Sequence, residues 1–111
     1  MIFLFGPLWS GKRAVAMELL RCDEAALAAR CVCDAQELAR ENADLEELTD
    51  RLSTFDAVIA TEVGGGVVPL DRAEREARER AGRLSCLLAA RADTVVRVFC
   101  GIPIVLKGEL P

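Results

Sequence analysis

Apolar residues along the chain are grouped into short continuous runs, the pattern of strands that are buried on both faces of a sheet. The runs predict strands at residues 2–5, 31–33, 57–60 and 94–100. Gly101 then interrupts the pattern, and residues 102–107 form a last short run. We therefore expect the chain to end in a hairpin.

The segments between these runs carry apolar residues at helical spacing. They predict a helix at residues 12–21, which residues 23–30 are able to continue, and an amphipathic helix at residues 43–52. The longest predicted helix covers residues 71–91. Its outer face pairs acidic and basic residues four positions apart, which is typical of a solvated face. Its inner stripe consists of Ala73, Ala77, Ala81, Leu84 and Leu88.

Strands and helices thus alternate along the chain. This alternation predicts an α/β fold in which a small parallel sheet is flanked by helices and closed by the C-terminal hairpin. Because the chain has 111 residues and no linker-like stretch, we expect one domain over residues 1–111.

The segment between the first strand and the first helix carries a phosphate-loop pattern. It matches G-x-x-x-x-G-K, follows a buried strand and opens a helix. Glycines let the backbone wrap around a phosphate, and the helix N-terminus adds partial positive charge. The pattern therefore predicts a P-loop NTPase-like domain, the alternative being an ordinary strand–turn–helix with a surface lysine. The candidate nucleotide-binding residues are Gly6, Pro7, Leu8, Trp9, Ser10, Gly11 and Lys12.

Arg13 departs from this pattern, which has Ser or Thr at its position as a ligand of Mg²⁺. A guanidinium cannot ligate a cation, but it can contact a phosphate, so Arg13 joins the nucleotide-binding candidates. The sequence therefore predicts ATP or GTP as the ligand and leaves Mg²⁺ open. Lys12 is expected to contact the β- and γ-phosphates.

A second loop follows the carboxyl end of the strand at residues 57–60, on the same edge of the sheet as the phosphate loop. Glu62 would hold Mg²⁺ through water or orient an acceptor hydroxyl. Alternatively, Glu62 only caps backbone amides of the glycine-rich loop that contains Gly64 and Gly66. Trp9 would stack on a base or pack locally, and we favour local packing.

Composition and charge limit the classes of function. The formal net charge of −4 argues against nucleic acid as a partner, because phosphate-backbone binding needs an excess of Lys and Arg. No signal peptide or membrane span is expected, and five cysteines without a secretory signal predict a cytoplasmic protein. The chain has no histidine, which excludes histidine-dependent catalysis and zinc sites with a histidine ligand. Cys31 and Cys33 are interpreted as core residues rather than metal ligands.

The chain from Glu62 onward carries a set of family-specific residues: Glu62-Val63-Gly64-x-Gly66-Val67-Val68-Pro69, Arg78, Ala81-Gly82-Arg83, Leu88-Ala89, Ala92-Asp93-x-Val95, Val98, Gly101-Ile102-Pro103 and Leu106-Lys107. With these residues it resembles the family of bifunctional adenosylcobinamide kinase/adenosylcobinamide-phosphate guanylyltransferases of cobalamin biosynthesis. The family also begins with a strand and a phosphate loop that ends in the equivalent of Ser10-Gly11-Lys12. Cys33-Asp34-Ala35-Gln36 corresponds to the end of its second strand, which adds Asp34 to the nucleotide-binding candidates.

The resemblance implies phosphoryl transfer from ATP or GTP to the hydroxyl of adenosylcobinamide, with Lys12 and Glu62 as catalytic residues, and a homo-oligomeric assembly. The histidine that is guanylylated in the family has no counterpart in this chain. The resemblance therefore implies a shortened relative without guanylyl transfer. The alternative is a non-catalytic nucleotide-binding or regulatory module.

Overall fold

The computed structural model describes residues 1–62 and 71–111. Its strands and helices alternate along the chain as the sequence pattern predicts. In chain order they are β1 (Ile2–Gly6), α1 (Lys12–Leu20), α2 (Glu24–Arg30), β2 (Cys31–Val32), α3 (Ala35–Glu41), α4 (Leu45–Leu52), β3 (Ala57–Thr61), α5 (Arg72–Arg91), β4 (Thr94–Phe99) and β5 (Ile102–Lys107).

The strands form one mixed sheet in the order β2-β3-β1-β4-β5. β1 pairs in parallel with both β3 and β4, whereas β5 runs antiparallel to β4 as the second strand of the C-terminal hairpin. The predicted α/β class, the mostly parallel sheet and the hairpin are confirmed. Because β1 is central, the loop that follows Gly6 opens at the middle of the carboxyl edge of the sheet.

Alternate residues of β1 enter two separate cores, one on each face of the sheet. Phe3 packs with Val58 and Leu88 beneath α3, α4 and α5, whereas Leu4 packs with Val96 and with residues of α1 and α2. This division fits the predicted double-sided burial of the parallel strands.

Helices α1 and α2 are separate, although the sequence allowed one continuous helix. Arg21 ends α1 in a left-handed conformation, with φ at 51°, and its N–H donates to the carbonyl oxygens of Glu18 and Met17. Asp23 then starts α2 by accepting a hydrogen bond from the Ala26 N–H at 2.8 Å. The C-cap and the N-cap follow each other within three residues and turn the chain.

Helix α5 begins after its N-cap Asp71 and buries four of the five predicted stripe residues, Ala73 being exposed in the first turn. Its charged face is not simply solvated, because two of its residues bind the helix α3 region. Glu74 pairs with Arg40 at 2.7 Å, and Arg80 donates to the carbonyl oxygens of Ala39 and Asn42. These bonds occupy carbonyls at the end of α3 that have no partner within the helix. None of the described helices is long and apolar enough to cross a membrane.

Candidate functional site

The loop between β1 and α1 borders a cavity of about 260 Å³ at the carboxyl edge of the sheet. The loop supplies one wall, and the ends of β2 and β3 supply the other. The lining residues are Leu8, Trp9, Ser10, Gly11, Lys12, Arg13, Ala14, Cys33, Asp34, Ile59 and Thr61. Most of the nucleotide-binding candidates, Asp34 included, therefore border one space.

Both glycines of the loop pattern are required by the backbone. A Cβ on Gly6 would overlap the carbonyl oxygen of Val98 on β4. Gly11 has φ at 89°, in the left-handed region that favours glycine. The loop is braced by the β4–β5 turn, because the Gly101 N–H donates to the Ser10 carbonyl oxygen at 2.7 Å.

We expect Gly6→Ala to lower the free energy of unfolding by about 2 kcal/mol, because the new methyl group must displace β4 from β1. Gly82→Ala is the matched control, since Gly82 lies inside α5 and a Cβ there meets no atom within 4 Å. The control should gain up to about 1 kcal/mol from helix propensity. Urea unfolding followed by circular dichroism measures both changes, and a neutral Gly6→Ala would contradict the close approach of the strands.

Lys12 is held against the loop at the first position of α1. Its side chain is largely buried, the residue being 8% exposed, and its ammonium donates to the carbonyl oxygens of Gly6 at 3.2 Å and Pro7 at 2.7 Å. Burial lowers the pKa of Lys12, while the carboxylates of Asp34 and Glu62 act in the opposite direction. The ammonium thus lies within electrostatic reach of both acids at the edge of the cavity.

Ser10 carries a buried hydroxyl that lacks a hydrogen-bond partner. The residue is 6% exposed, and its Oγ is the one buried side-chain polar atom without a partner among residues 1–62 and 71–111. Ser10 also lines the cavity. A buried hydroxyl without a partner costs free energy, which a polar ligand in the adjoining cavity would offset by bonding to it.

The N-terminus of α1 adjoins this hydroxyl and has no internal cap. Its N-cap is Gly11, no side chain caps the first turn, and that turn contains no acidic residue. The other long described helices, α4 and α5, begin with aspartate caps, Asp44 and Asp71. The α1 terminus therefore offers N–H groups and partial positive charge to an anion.

Glu62 directly follows β3 and forms an ion pair with Arg97 of β4. Arg97 Nε donates to Glu62 Oε1 at 2.5 Å, and Nη2 donates to Oε2 at 3.1 Å. These hydrogen bonds lower the pKa of Glu62 against its partial burial, and the charges of Arg97 and Lys12 add to the effect. Glu62 is therefore an ionised group within electrostatic reach of Lys12, at the carboxyl edge of the sheet.

Sequence reasoning missed Arg97, the partner of Glu62, as well as the lining residues Ala14, Cys33, Ile59 and Thr61. The signal for Arg97 was available, because it is the one charged residue within the apolar run of β4. Its guanidinium also lies over the ring of Phe99, 5.5 Å from the ring centroid. Between the carboxylate and the ring, the side chain is fixed on both sides.

The remaining candidates have different surroundings from those expected. Trp9 has a left-handed backbone, with φ at 63°, and is 91% exposed, so the prediction that it packs locally is wrong. Arg13 lines the cavity but also pairs with Glu24 of α2 at 3.4 Å. Cys31 is buried in the core beneath α1 and α2. Gly64 and Gly66 lie outside the described residues.

Comparison with known proteins identifies a family and a curated relative. The model of the family "Cobinamide kinase / cobinamide phosphate guanyltransferase" matches residues 19–106. The bifunctional adenosylcobalamin biosynthesis protein CobP of Pseudomonas aeruginosa is 36% identical over 76 residues, which are 68% of this chain and 44% of the relative. The chain thus spans less than half the length of this curated relative. The family match begins after the phosphate loop, so the interpretation of that loop depends on its geometry.

Proposed function

Because the chain belongs to the cobinamide kinase / cobinamide phosphate guanyltransferase family, we propose that it binds ATP or GTP at residues 6–12 and phosphorylates the hydroxyl of cobinamide. Such a reaction would place the protein in cobalamin biosynthesis. The family match supports the biosynthetic context, and the cavity beside the loop supports the nucleotide.

One observation carries the nucleotide part of the proposal. The Ser10 hydroxyl is buried without a partner, and it lies beside a helix N-terminus that has no capping side chain. A phosphate would supply acceptors for the hydroxyl, for the first-turn N–H groups of α1 and for the Lys12 ammonium. Helices α2, α4 and α5, by contrast, begin with aspartates whose side chains accept from first-turn N–H groups.

The proposed roles follow from the positions of the charges. Phosphoryl transfer depends mainly on positioning and on neutralising charge that develops on the phosphoryl oxygens. Lys12 would supply that charge from the start of α1. Glu62 is ionised, and the lone pairs that Arg97 leaves unused could accept a hydrogen bond from the acceptor hydroxyl.

Two observations favour a second candidate, a nucleotide-binding module without catalysis. Arg13 stands where a metal-ligating hydroxyl belongs in the phosphate-loop pattern, and its guanidinium pairs with Glu24. The chain also has no histidine to carry a guanylyl group, so we expect guanylyl transfer by that route to be lost. Both candidates share the nucleotide site and differ in turnover.

Thermal unfolding with ATP or GTP tests the shared part. At about 100 times its Kd, a nucleotide should add about 2.7 kcal/mol to the stability, which corresponds to a rise in Tm of roughly 10 °C or more. Ser10→Ala and Lys12→Met should reduce the rise in Tm. Ser53→Ala is the control, because Ser53 is far from the loop in sequence, and it should show the full rise. Absence of a shift with both nucleotides would refute the phosphate site.

Formation of cobinamide phosphate separates the two candidates. Chromatography of a reaction containing cobinamide and the nucleotide that gave the larger shift should reveal the phosphorylated product if the chain is a kinase. A nucleotide-dependent shift without product would favour the binding module.

A further inference from the structure

The Glu62–Arg97 pair bears on whether a nucleotide is bound with or without Mg²⁺. The two side chains meet across β1, which lies between β3 and β4 and ends there in Gly6. Arg97 engages both oxygens of the Glu62 carboxylate, with about a third of each side chain exposed. Two parallel charge-assisted hydrogen bonds of this kind are both stronger and more directional than a single ion pair.

The donors at this site do not fit Mg²⁺. The ion requires oxygen ligands in octahedral geometry, and a phosphate-loop protein provides a hydroxyl after the lysine and an acidic strand end. In this chain Arg13 occupies the position of the hydroxyl that follows the lysine. The acid at the strand end, Glu62, is already neutralised by the guanidinium of Arg97. Over residues 1–62 and 71–111, no three carboxylate or thiol side chains are grouped so that they could hold a metal ion.

Two carboxylates near Lys12 would repel a polyphosphate unless a cation offsets them. Asp34 lines the cavity, and the Glu62 N–H donates to the Gly6 carbonyl oxygen that also accepts from the Lys12 ammonium, so both acids lie close to where a phosphate partner of Lys12 would bind. In Mg²⁺-dependent proteins the metal supplies the offsetting charge. In this chain a fixed guanidinium already lies on Glu62.

We propose that this chain binds the phosphates of a nucleotide without Mg²⁺, and that Arg97 is the positioning residue that takes the metal's place beside Glu62. The inference rests on the proposed nucleotide site at residues 6–12. Arg97 neutralises Glu62, so Lys12 and the α1 terminus are left to bind the phosphates. Mg²⁺ then adds little to nucleotide affinity, because Glu62, the strand-end carboxylate, is already engaged.

The first test is isothermal titration of ATP and GTP into the wild type, in EDTA and then in Mg²⁺. We expect the two Kd values to agree within about threefold. Binding that is more than about tenfold tighter in Mg²⁺ would overturn the inference and leave the proposed nucleotide site intact. Absence of binding in both media would overturn the proposed site together with the inference.

The second test uses Arg97→Leu, which exposes the Glu62 charge to the phosphates. Metal-free binding should weaken by about tenfold, and binding should become Mg²⁺-dependent because the carboxylate is released. Arg72→Leu removes the same charge from an exposed position of α5 and should not change the ratio of the two Kd values. If Arg97→Leu binds metal-free nucleotide as the wild type does, the inference is wrong.

A double variant separates this effect from simple loss of stability. Glu62→Gln combined with Arg97→Leu removes both charges, so metal-free binding should recover while the Mg²⁺ dependence disappears. A purely structural role for Arg97 would lower the Tm of both variants without changing how binding responds to Mg²⁺. If the double variant binds no better than Arg97→Leu alone in EDTA, the Glu62 charge is not what Arg97 offsets, and the inference fails.

Discussion

Lys12→Met should remove most of the nucleotide affinity and leave the fold about as stable as before. Loss of a buried, hydrogen-bonded charge from a binding site costs about 3 kcal/mol, or roughly 100-fold in Kd. The stability should change by no more than about 1 kcal/mol, because the partly desolvated ammonium is replaced by an apolar chain of similar volume. Calorimetric titration with ATP and urea unfolding measure the two effects.

Lys107→Met provides the control for this substitution. Lys107 donates to the carbonyl oxygens of Ala89 and Ala90 at the C-terminal end of α5, away from the cavity lining. We expect it to lose a small amount of stability and no nucleotide affinity. If Lys12→Met and Lys107→Met bind nucleotide equally well, Lys12 is only a structural lysine of the loop.

Arg13→Ser should raise Mg²⁺-dependent nucleotide turnover by about tenfold while nucleotide affinity stays within a few-fold. The serine supplies the hydroxyl that the phosphate-loop pattern places at this position, and it releases Glu24 from its guanidinium partner. Turnover is measured by phosphate release with and without Mg²⁺. Arg13→Ala is the control, because it removes the same charge without adding a ligand.

The comparison of the two variants decides what Arg13 does. If Arg13→Ala raises turnover as much as Arg13→Ser, removal of the arginine side chain causes the increase, and the new hydroxyl does not. If only affinity changes, the remainder of the site lacks catalytic power, and the binding-module candidate is favoured. A wild type that already turns over at about 1–100 s⁻¹, with Arg13→Ser slower, would make Arg13 a catalytic element.

Much of the fold follows from local sequence patterns. The apolar runs of β1, β3 and β4 are long enough to identify strands buried on both faces, and the stripe of α5 identifies a helix. Helix α3 was not predicted, because its buried residues are the alanines Ala35 and Ala39, which produce hardly any periodic signal. Their small size matters only once α5 packs against them.

The candidate site likewise has one part that the sequence identifies and another that only the packing reveals. The phosphate loop is contiguous in sequence, so its glycines and Lys12 could be identified from spacing alone. Arg97 could not be assigned a role, because its importance depends on β4 being adjacent to β1 and within reach of the residue that follows β3. Likewise, the missing partner of the Ser10 hydroxyl is a property of packing, which spacing does not report.

The exposure of Trp9 gives the protein a built-in optical probe. The chain has a single tryptophan and no tyrosine, so ultraviolet-excited emission comes almost entirely from one indole in the phosphate loop. Since that indole is in solvent in the folded state, its emission should change little on denaturation and should respond mainly to events at the loop. Fluorescence can therefore follow ligand binding without a label, whereas unfolding is better followed by circular dichroism.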